Sequence, residues 1–186
     1  MLEQEVKLQF SDVASARAAV ATAGGRLVVP RRLIDDQLFD TADARLANAG
    51  TTLRLRRDDD RAVVTVKGPV RPGPVKSREE LETSIGDARI ADVMFARLGF
   101  RPVFRAQKYR EEYTVGSTHV MIDEAPVGVF IEVEGTPDEI RRVSGLLGRT
   151  SEDYRLESYM ALWRRRCADR GLTTPSDMVF DAPPAE

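Results

Sequence analysis

Residues 2–8 alternate. Glu3, Glu5 and Lys7 fall on one face of a strand and Leu2, Gln4, Val6 and Leu8 on the other, because side chains in a strand repeat every two residues. The same period returns along the chain. Leu53 and Leu55 alternate with Arg54 and Arg56. Arg78, Glu80 and Glu82 share a face, as do Lys108, Arg110 and Glu112. Val129, Ile131 and Val133 alternate with Glu132 and Glu134. Beyond the first strand, this pattern predicts strands at 27–29, 33–39, 51–57, 61–67, 75–83, 100–104, 106–115, 119–124 and 129–134. Asp58-Asp59-Asp60 is the predicted turn of a hairpin. The Gly/Pro segment 68–74, with Arg71 in it, has the composition of a mobile crossing or lid.

Helices are predicted where the period lengthens. Ser11-Asp12 caps a helix over 13–23, stopped by Gly24-Gly25. Residues 40–50 make a short helical turn or two, closed by Gly50. Asp87 caps a helix to residue 98. Thr136 and Glu139 form a capping box with Pro137 at the first helical position, and Gly148 follows that helix. A last helix is expected from Ser151 to about residue 166. The tail from Gly171 holds three prolines and little to bury, so residues 171–186 are expected to be loose. A Glu-x-Glu strand, a helix and a glycine recur three times, at Glu3/Glu5, Glu80/Glu82 and Glu132/Glu134. Basic-x-basic strands lie between them, a spacing that reads as a rough internal duplication.

The charged faces have two readings. For one strand, a wet face with cross-strand ion pairs is the common outcome, each pair contributing about 0–1 kcal/mol. Across the whole set that reading strains. The opposite faces are apolar, and several amphipathic helices need a sheet surface to cover. If helices take the outside, the charges point inward, and a sheet of many antiparallel strands closes to remove its edges. The expected fold class is therefore α+β: a closed antiparallel β-barrel with helices packed outside and a tunnel of carboxylates and cations within.

Composition narrows the function. The chain has 186 residues, 31% of them charged, yet its net charge is −2. A general nucleic-acid or membrane binder carries a one-sided basic excess, so neither is expected as a partner. Cys167 is the single cysteine, which excludes an intrachain disulfide framework and a thiolate cluster. No apolar run approaches the roughly 20 residues of a membrane span. The chain enters its first strand without a signal-peptide pattern, and a reducing cytoplasm is the default compartment.

The in-phase acids are Glu3, Glu5, Glu80, Glu82, Asp123, Glu132 and Glu134. The in-phase bases are Lys7, Arg54, Arg56, Lys67, Arg78, Lys108 and Arg110. Buried like charges are costly unless ligands complete them. Carboxylates two apart on a strand suit a hard divalent cation, Mg²⁺ or Mn²⁺. Arginine and lysine suit phosphate oxygens. Together they imply a metal-bridged polyphosphate. With His119 the single histidine, a His-based triad or multi-His zinc site is not expected, and His119 reads as an ordinary polar strand residue. There is no P-loop motif. Tyr159, with the other aromatic residues, reads as core or helix packing.

These residues resemble the CYTH superfamily, the triphosphate tunnel metalloenzymes. The resemblance runs in order through Glu3-x-Glu5-x-Lys7, Leu38-Phe39-Asp40-Thr41, Leu53-Arg54-Leu55-Arg56, Thr65-Val66-Lys67-Gly68, Arg78-x-Glu80-x-Glu82, Lys108-x-Arg110, Ile122-Asp123 and Glu132-x-Glu134. It covers about residues 1–160, within one tunnel domain over 1–170. It implies eight strands. It implies that Glu3, Glu5, Glu132 and Glu134, with Asp123, bind metal, and that Glu80 and Glu82 help hold a second metal or the attacking water. Lys7, Arg54, Arg56, Lys67, Arg78, Lys108 and Arg110 would hold a triphosphate. Lys7, Glu80 and Glu82 are the expected catalytic residues. Thiamine triphosphatases use a Lys–Tyr pair, with the tyrosine in the segment that reads Leu38-Phe39-Asp40-Thr41 here, which weakens that substrate. The expected activity is a metal-dependent triphosphatase acting on inorganic triphosphate or a related organic triphosphate. A class IV adenylyl cyclase making cyclic AMP and pyrophosphate from ATP is the alternative, and a non-catalytic polyphosphate-binding module the second. A homodimer is compatible with the sequence, which shows no diagnostic patch.

Overall fold

The computed structural model describes residues 1–58, 61–172 and 177–181. Nine strands are formed: β1 (Leu2–Phe10), β2 (Arg26–Asp40), β3 (Thr52–Asp58), β4 (Arg61–Lys67), β5 (Lys76–Ile85), β6 (Arg101–Val115), β7 (Thr118–Ala125), β8 (Gly128–Glu134) and the two-residue β9 (Tyr154–Arg155). The helices are α1 (Val13–Thr22), α2 (Arg45–Asn48), α3 (Ala88–Arg97), α4 (Pro137–Leu146) and α5 (Tyr159–Asp169). The sheet order is β5-β4-β3-β2-β6-β7-β8-β1, and β5 also pairs with β1. Eight antiparallel strands thus close a barrel and leave no open edge between first and last.

Alternation decides which side each residue takes. Val6 and Leu8 of β1 and Ile131 and Val133 of β8 point outward. With Ala16 and Val20 of α1 and Ile140 and Val143 of α4 they form the main core. Each such side chain, fully buried, contributes about 1.5–3 kcal/mol. A second cluster joins Phe39, Leu53 and Leu55 to Ala91 and Phe95 of α3. The capping boxes at Asp12 and Thr136 and the cap at Asp87 start α1, α4 and α3 where the sequence places them. The helices cover the outside, and the charged positions face in.

Three parts differ from expectation. Residues 26–40 form one strand, not two. Register shifts on either side of Val29 absorb Pro30, as a bulge allows for a residue with no donor. Residues 101–115 are likewise one strand, opposed by β2 over most of its length. Third, Ser151 opens only a 3₁₀ turn, closed by a capping box between Thr150 and Asp153. Tyr154–Arg155 then pairs with Lys7 and Leu8 along the edge of β1 that β5 leaves free. The helix starts later, at Ser158, whose side chain accepts from the Ala161 amide.

The tail is not loose at residues 177–181. Met178 is buried against Phe104 and Ala125, and its backbone bridges the edge of β6 through Arg105 and Gln107. That edge lies beyond the end of β7, and one buried methionine is enough to seat the segment on it. Residues 173–176 and 182–186 of the tail, and Asp59 and Asp60 of the predicted turn, lie outside the described residues.

Candidate active site

The barrel encloses a cavity of about 610 Å³ whose wall is charged almost throughout. Strand register sets the order of charges. Glu5 and Lys7 of β1 stand opposite Glu134 and Glu132 of β8, and on the other side of β1, Glu3 and Glu5 stand opposite Arg78 and Lys76. Lys67 faces Glu80 across β4 and β5. Glu3, Glu5, Lys7, Arg54, Arg56, Lys67, Arg78, Glu80, Glu82, Lys108, Arg110, Glu132 and Glu134 all line the cavity. Thirteen of the fourteen predicted site residues are thereby brought together.

Asp123 is set apart. It shares the inward face of β7 with Met121 but is fully buried beneath Lys108, Arg110 and Tyr159 and does not line the cavity. Arg110 donates to it through Nε and Nη2, both at 2.6 Å. Lys108 Nζ is 2.7 Å away, and the Tyr159 hydroxyl donates at 2.8 Å. Its carboxylate is spent on orienting two cations.

The remaining charges pair acid to base. Lys7 Nζ lies 3.3 Å from Glu5 and 3.1 Å from Glu132. Lys67 bridges Glu3 at 2.7 Å and Glu80 at 2.8 Å. Arg78 Nε sits 3.2 Å from Glu3. Arg110 also reaches Glu132. Arg56 forks onto Asp36 at 2.8 and 2.9 Å. Arg54 donates to Thr65 Oγ1 at 2.9 Å and to Glu82 at 3.3 Å.

Burial and pairing contend in the acidities. Burial pushes Glu5 up, but Lys7 and Lys76 reverse it, and the carboxyl stands well below its usual range. Burial likewise opposes the charge on Lys7, and Glu132 and Glu5 more than restore it. Glu132 is held low, against burial, by Lys108, Lys7 and Arg110. Glu3 goes the other way, raised by burial and by the charge of Glu5. Lys108 falls to about 8 through burial and its neighbour Arg110. Lys76 falls to about 8 through burial and its neighbour Lys7.

Among the cavity residues that the sequence reading missed, five bear on the chemistry. Lys76, 2.6 Å from Glu5, extends the alternation of Arg78, Glu80 and Glu82 by one step, and that step is the signal that finds it. Asp36 is one of two adjacent aspartates, and only the register with Arg56 shows which faces in. Tyr159 packs against the Phe104 cluster and edge-on to Phe130, as expected, and its ring also lies beside the ammonium groups of Lys7 and Lys108. His119 also lines the cavity, 3.0 Å from Glu112. Hydrogen bonds to Glu112 and Glu134 raise its pKa to about 9. Arg32 reaches Glu112 as well and donates to Asp58 at 2.6 Å.

With this geometry in place, comparison with known proteins is informative. The CYTH domain family model matches residues 1–157. The chain belongs to the CYTH family. Members bind triphosphate substrates generally and depend on divalent metal in general. The Aeromonas hydrophila protein named adenylate cyclase CyaB is 28% identical over 191 residues, covering 95% of this chain and 94% of its own. The Methanocaldococcus jannaschii protein MJ0240, which carries a provisional adenylate cyclase name, is 28% identical over 153 residues, 82% of this chain and 87% of its own. Among solved structures, the Hippeastrum protein HpAC1, described as having a dominant triphosphatase activity, superposes with a TM-score of 0.66. It is 23% identical and covers 88% of this chain and 96% of that one.

The CYTH barrel here offers a donor set that fits a hard divalent cation. Every acidic group on the wall is a carboxylate, and Glu82 and Glu134 are half exposed, with side chains 48% and 42% accessible. Among the described residues no three acids are already gathered as a metal site. Cations stand between them. No helix among the described residues is long and apolar enough to cross a membrane.

Proposed function

We propose that this protein is a divalent-metal-dependent triphosphatase that hydrolyses inorganic triphosphate or a related organic triphosphate inside the barrel. The observation that carries this reading is the paired wall: buried lysines and arginines, each tied to a carboxylate, around a cavity of about 610 Å³. A metal and a triphosphate together replace both halves of such pairs. Phosphoryl oxygens take the cations and the metal takes the acids, so no buried charge is left alone.

Glu3, Glu5, Glu132 and Glu134 are the proposed metal ligands, with Glu80 and Glu82 for a second metal or the attacking water. Asp123, buried beneath the lining side chains, is proposed as the group that aims Lys108 and Arg110. When bound, the metal, Mg²⁺ or Mn²⁺, supplies Lewis-acid charge to the phosphoryl oxygens. The chain does the rest. Arg54, Arg56, Lys67, Arg78, Lys108 and Arg110, with Lys76, bind and align the chain of phosphoryl groups and neutralise the charge that spreads over their oxygens in an in-line displacement. Lys7, kept protonated by Glu5 and Glu132, holds the oxygens nearest the first strand. Glu82, whose Oε2 accepts from Thr65 and Arg54, is the proposed acceptor of the attacking water's proton.

A second reading, a class IV adenylyl cyclase, is favoured by the name of the Aeromonas relative. It needs an apolar slot for adenine. The apolar side chains on the described wall are Met1, Leu2, Val63 and Met121, with the Tyr159 ring beside two ammonium groups. The hydrolase reading needs none of them.

The test is product analysis. Purified protein is incubated with inorganic triphosphate and separately with ATP, each with Mg²⁺, Mn²⁺ or chelator. Rapid metal-dependent phosphate release from triphosphate, with little from ATP, is expected. Cyclic AMP and pyrophosphate from ATP would make it a cyclase, and inactivity on both would favour a binding module. Glu5→Gln is expected to abolish metal-dependent turnover while the protein stays folded, because Lys7 keeps Glu132. Normal turnover in that variant would remove Glu5 from the metal set.

A further inference from the structure

At one end of the cavity stands a group of side chains that the triphosphate reading does not use. Arg32 of β2 lies opposite Arg110 of β6 in register. Its Nε is fixed on Asp58 at 2.6 Å and its Nη2 on Glu112. Glu112 in turn accepts from His119 at 3.0 Å. Asp58 and Glu112 each lie two residues beyond Arg56 and Arg110 on their own strands. The Arg32 head therefore sits one inward-facing position further toward this mouth, roughly 7 Å along the strands.

Two of the three nitrogens on this guanidinium head are thus engaged, and the third is not used. Arg32 Nη1 is shut from solvent and meets no hydrogen-bond partner. Such a buried orphan is costly, about 1–3 kcal/mol, and orphans mark places where a partner is missing. Among the described residues three side chains carry one: Arg32, Arg54 and Ser144. Ser144 lies on α4, outside the barrel. The other two are arginines of the cavity wall, and Arg54 is a triphosphate-binding residue on independent grounds.

We propose that Arg32 is a further substrate-binding residue, which receives the phosphoryl group at the mouth end of the chain and so distinguishes triphosphate from diphosphate. This inference rests on the proposed binding of triphosphate in the barrel. Asp58 and Glu112 hold the guanidinium flat and fixed, and a fixed fork loses little freedom when an oxygen docks. His119 is the positioning residue. It holds Glu112, and through Glu112 the direction of the free donor. A diphosphate gripped by Arg56, Lys108 and Arg110 ends short of this point. A triphosphate reaches it.

Binding is measured by calorimetry without metal, in chelator, using inorganic triphosphate and pyrophosphate as separate probes. Turnover of triphosphate is followed in parallel with metal present. Arg32→Ala is expected to weaken triphosphate about 10- to 100-fold, the loss of one charge-assisted hydrogen bond, and pyrophosphate by less than about twofold. Arg32→Lys keeps a cation between Asp58 and Glu112 but lacks the rigid planar fork that aims Nη1. It is expected to fold like the parent and to lose the same preference in part. His119→Gln is expected to weaken triphosphate by less than Arg32→Ala and to leave pyrophosphate unchanged. Equal loss for both probes in the Arg32 variants, or no loss in either, overturns the proposal. A parent protein that binds triphosphate but never hydrolyses it ends the triphosphatase reading and leaves the Arg32 comparison decisive. A parent that binds neither probe and does not turn over triphosphate with metal ends both.

Discussion

At the scale of single residues, burial separates side chains that the sequence presents as alike. Asp36 and Asp123 both face cations, yet one lines the cavity and the other is buried beneath its side chains. Glu111 and Glu112 are adjacent and look to opposite sides. Glu112 belongs to the cavity. Glu111 lies outside, where Arg17 donates at 3.0 Å and the Tyr113 hydroxyl at 2.6 Å. Burial raises the pKa of Glu111, and the bonds from Arg17 and Tyr113 outweigh it, so the carboxyl ends below its ordinary value of 4.5. A lowered carboxyl contributes stability that is present above 4.5 and lost as pH falls through its folded value. Glu111→Gln is therefore expected to lose about 1 kcal/mol at neutral pH, since Arg17 is half exposed and screened. Denaturation of parent and variant across pH checks this: the gap closes in acid, and a gap that widens there contradicts the pairing.

At the scale of elements, alternation is what made the chain legible. The strands holding Glu3/Glu5, Arg54/Arg56, Glu80/Glu82, Lys108/Arg110 and Glu132/Glu134 were placed by period alone, and all turn those pairs into one cavity. The breaks were harder to read. Pro30 looks like an end but sits at a register shift within β2. Ser151 looks like a helix start but opens a turn that adds Tyr154–Arg155 to β1. In both cases a partner strand distant in sequence offered hydrogen bonds that local propensity does not count. The tail follows the same rule. Met178 is fully buried and closes the edge of β6. Met178→Ala is expected to cost about 2 kcal/mol or to release the segment first. Limited proteolysis shows which, by loss of the C-terminus before the barrel unfolds. Unchanged protease resistance and stability would mean that the segment contributes nothing.

At the scale of the whole molecule, closure turns many weak pairs into one charged interior. On the proposed reading a polyanion and metal take over these pairs, so ligand should stabilise the fold. At one hundred times its dissociation constant, inorganic triphosphate is expected to add about 2.7 kcal/mol. The gain in melting temperature should shrink as salt screens the binding. A melting point indifferent to triphosphate at low salt would contradict the barrel as its site. The sequence by itself determined the alternation, the helix caps and hence which faces are charged, because these depend on neighbours two to four residues away. From thirteen of its fourteen site residues one could therefore draw the wall. Only the tertiary structure decided that Asp123 is sealed beneath the cavity's side chains, that Asp36 and Tyr159 join the site, and that Arg32 keeps a free donor. Those are facts of register and burial between strands far apart in the chain, and no local pattern carries them.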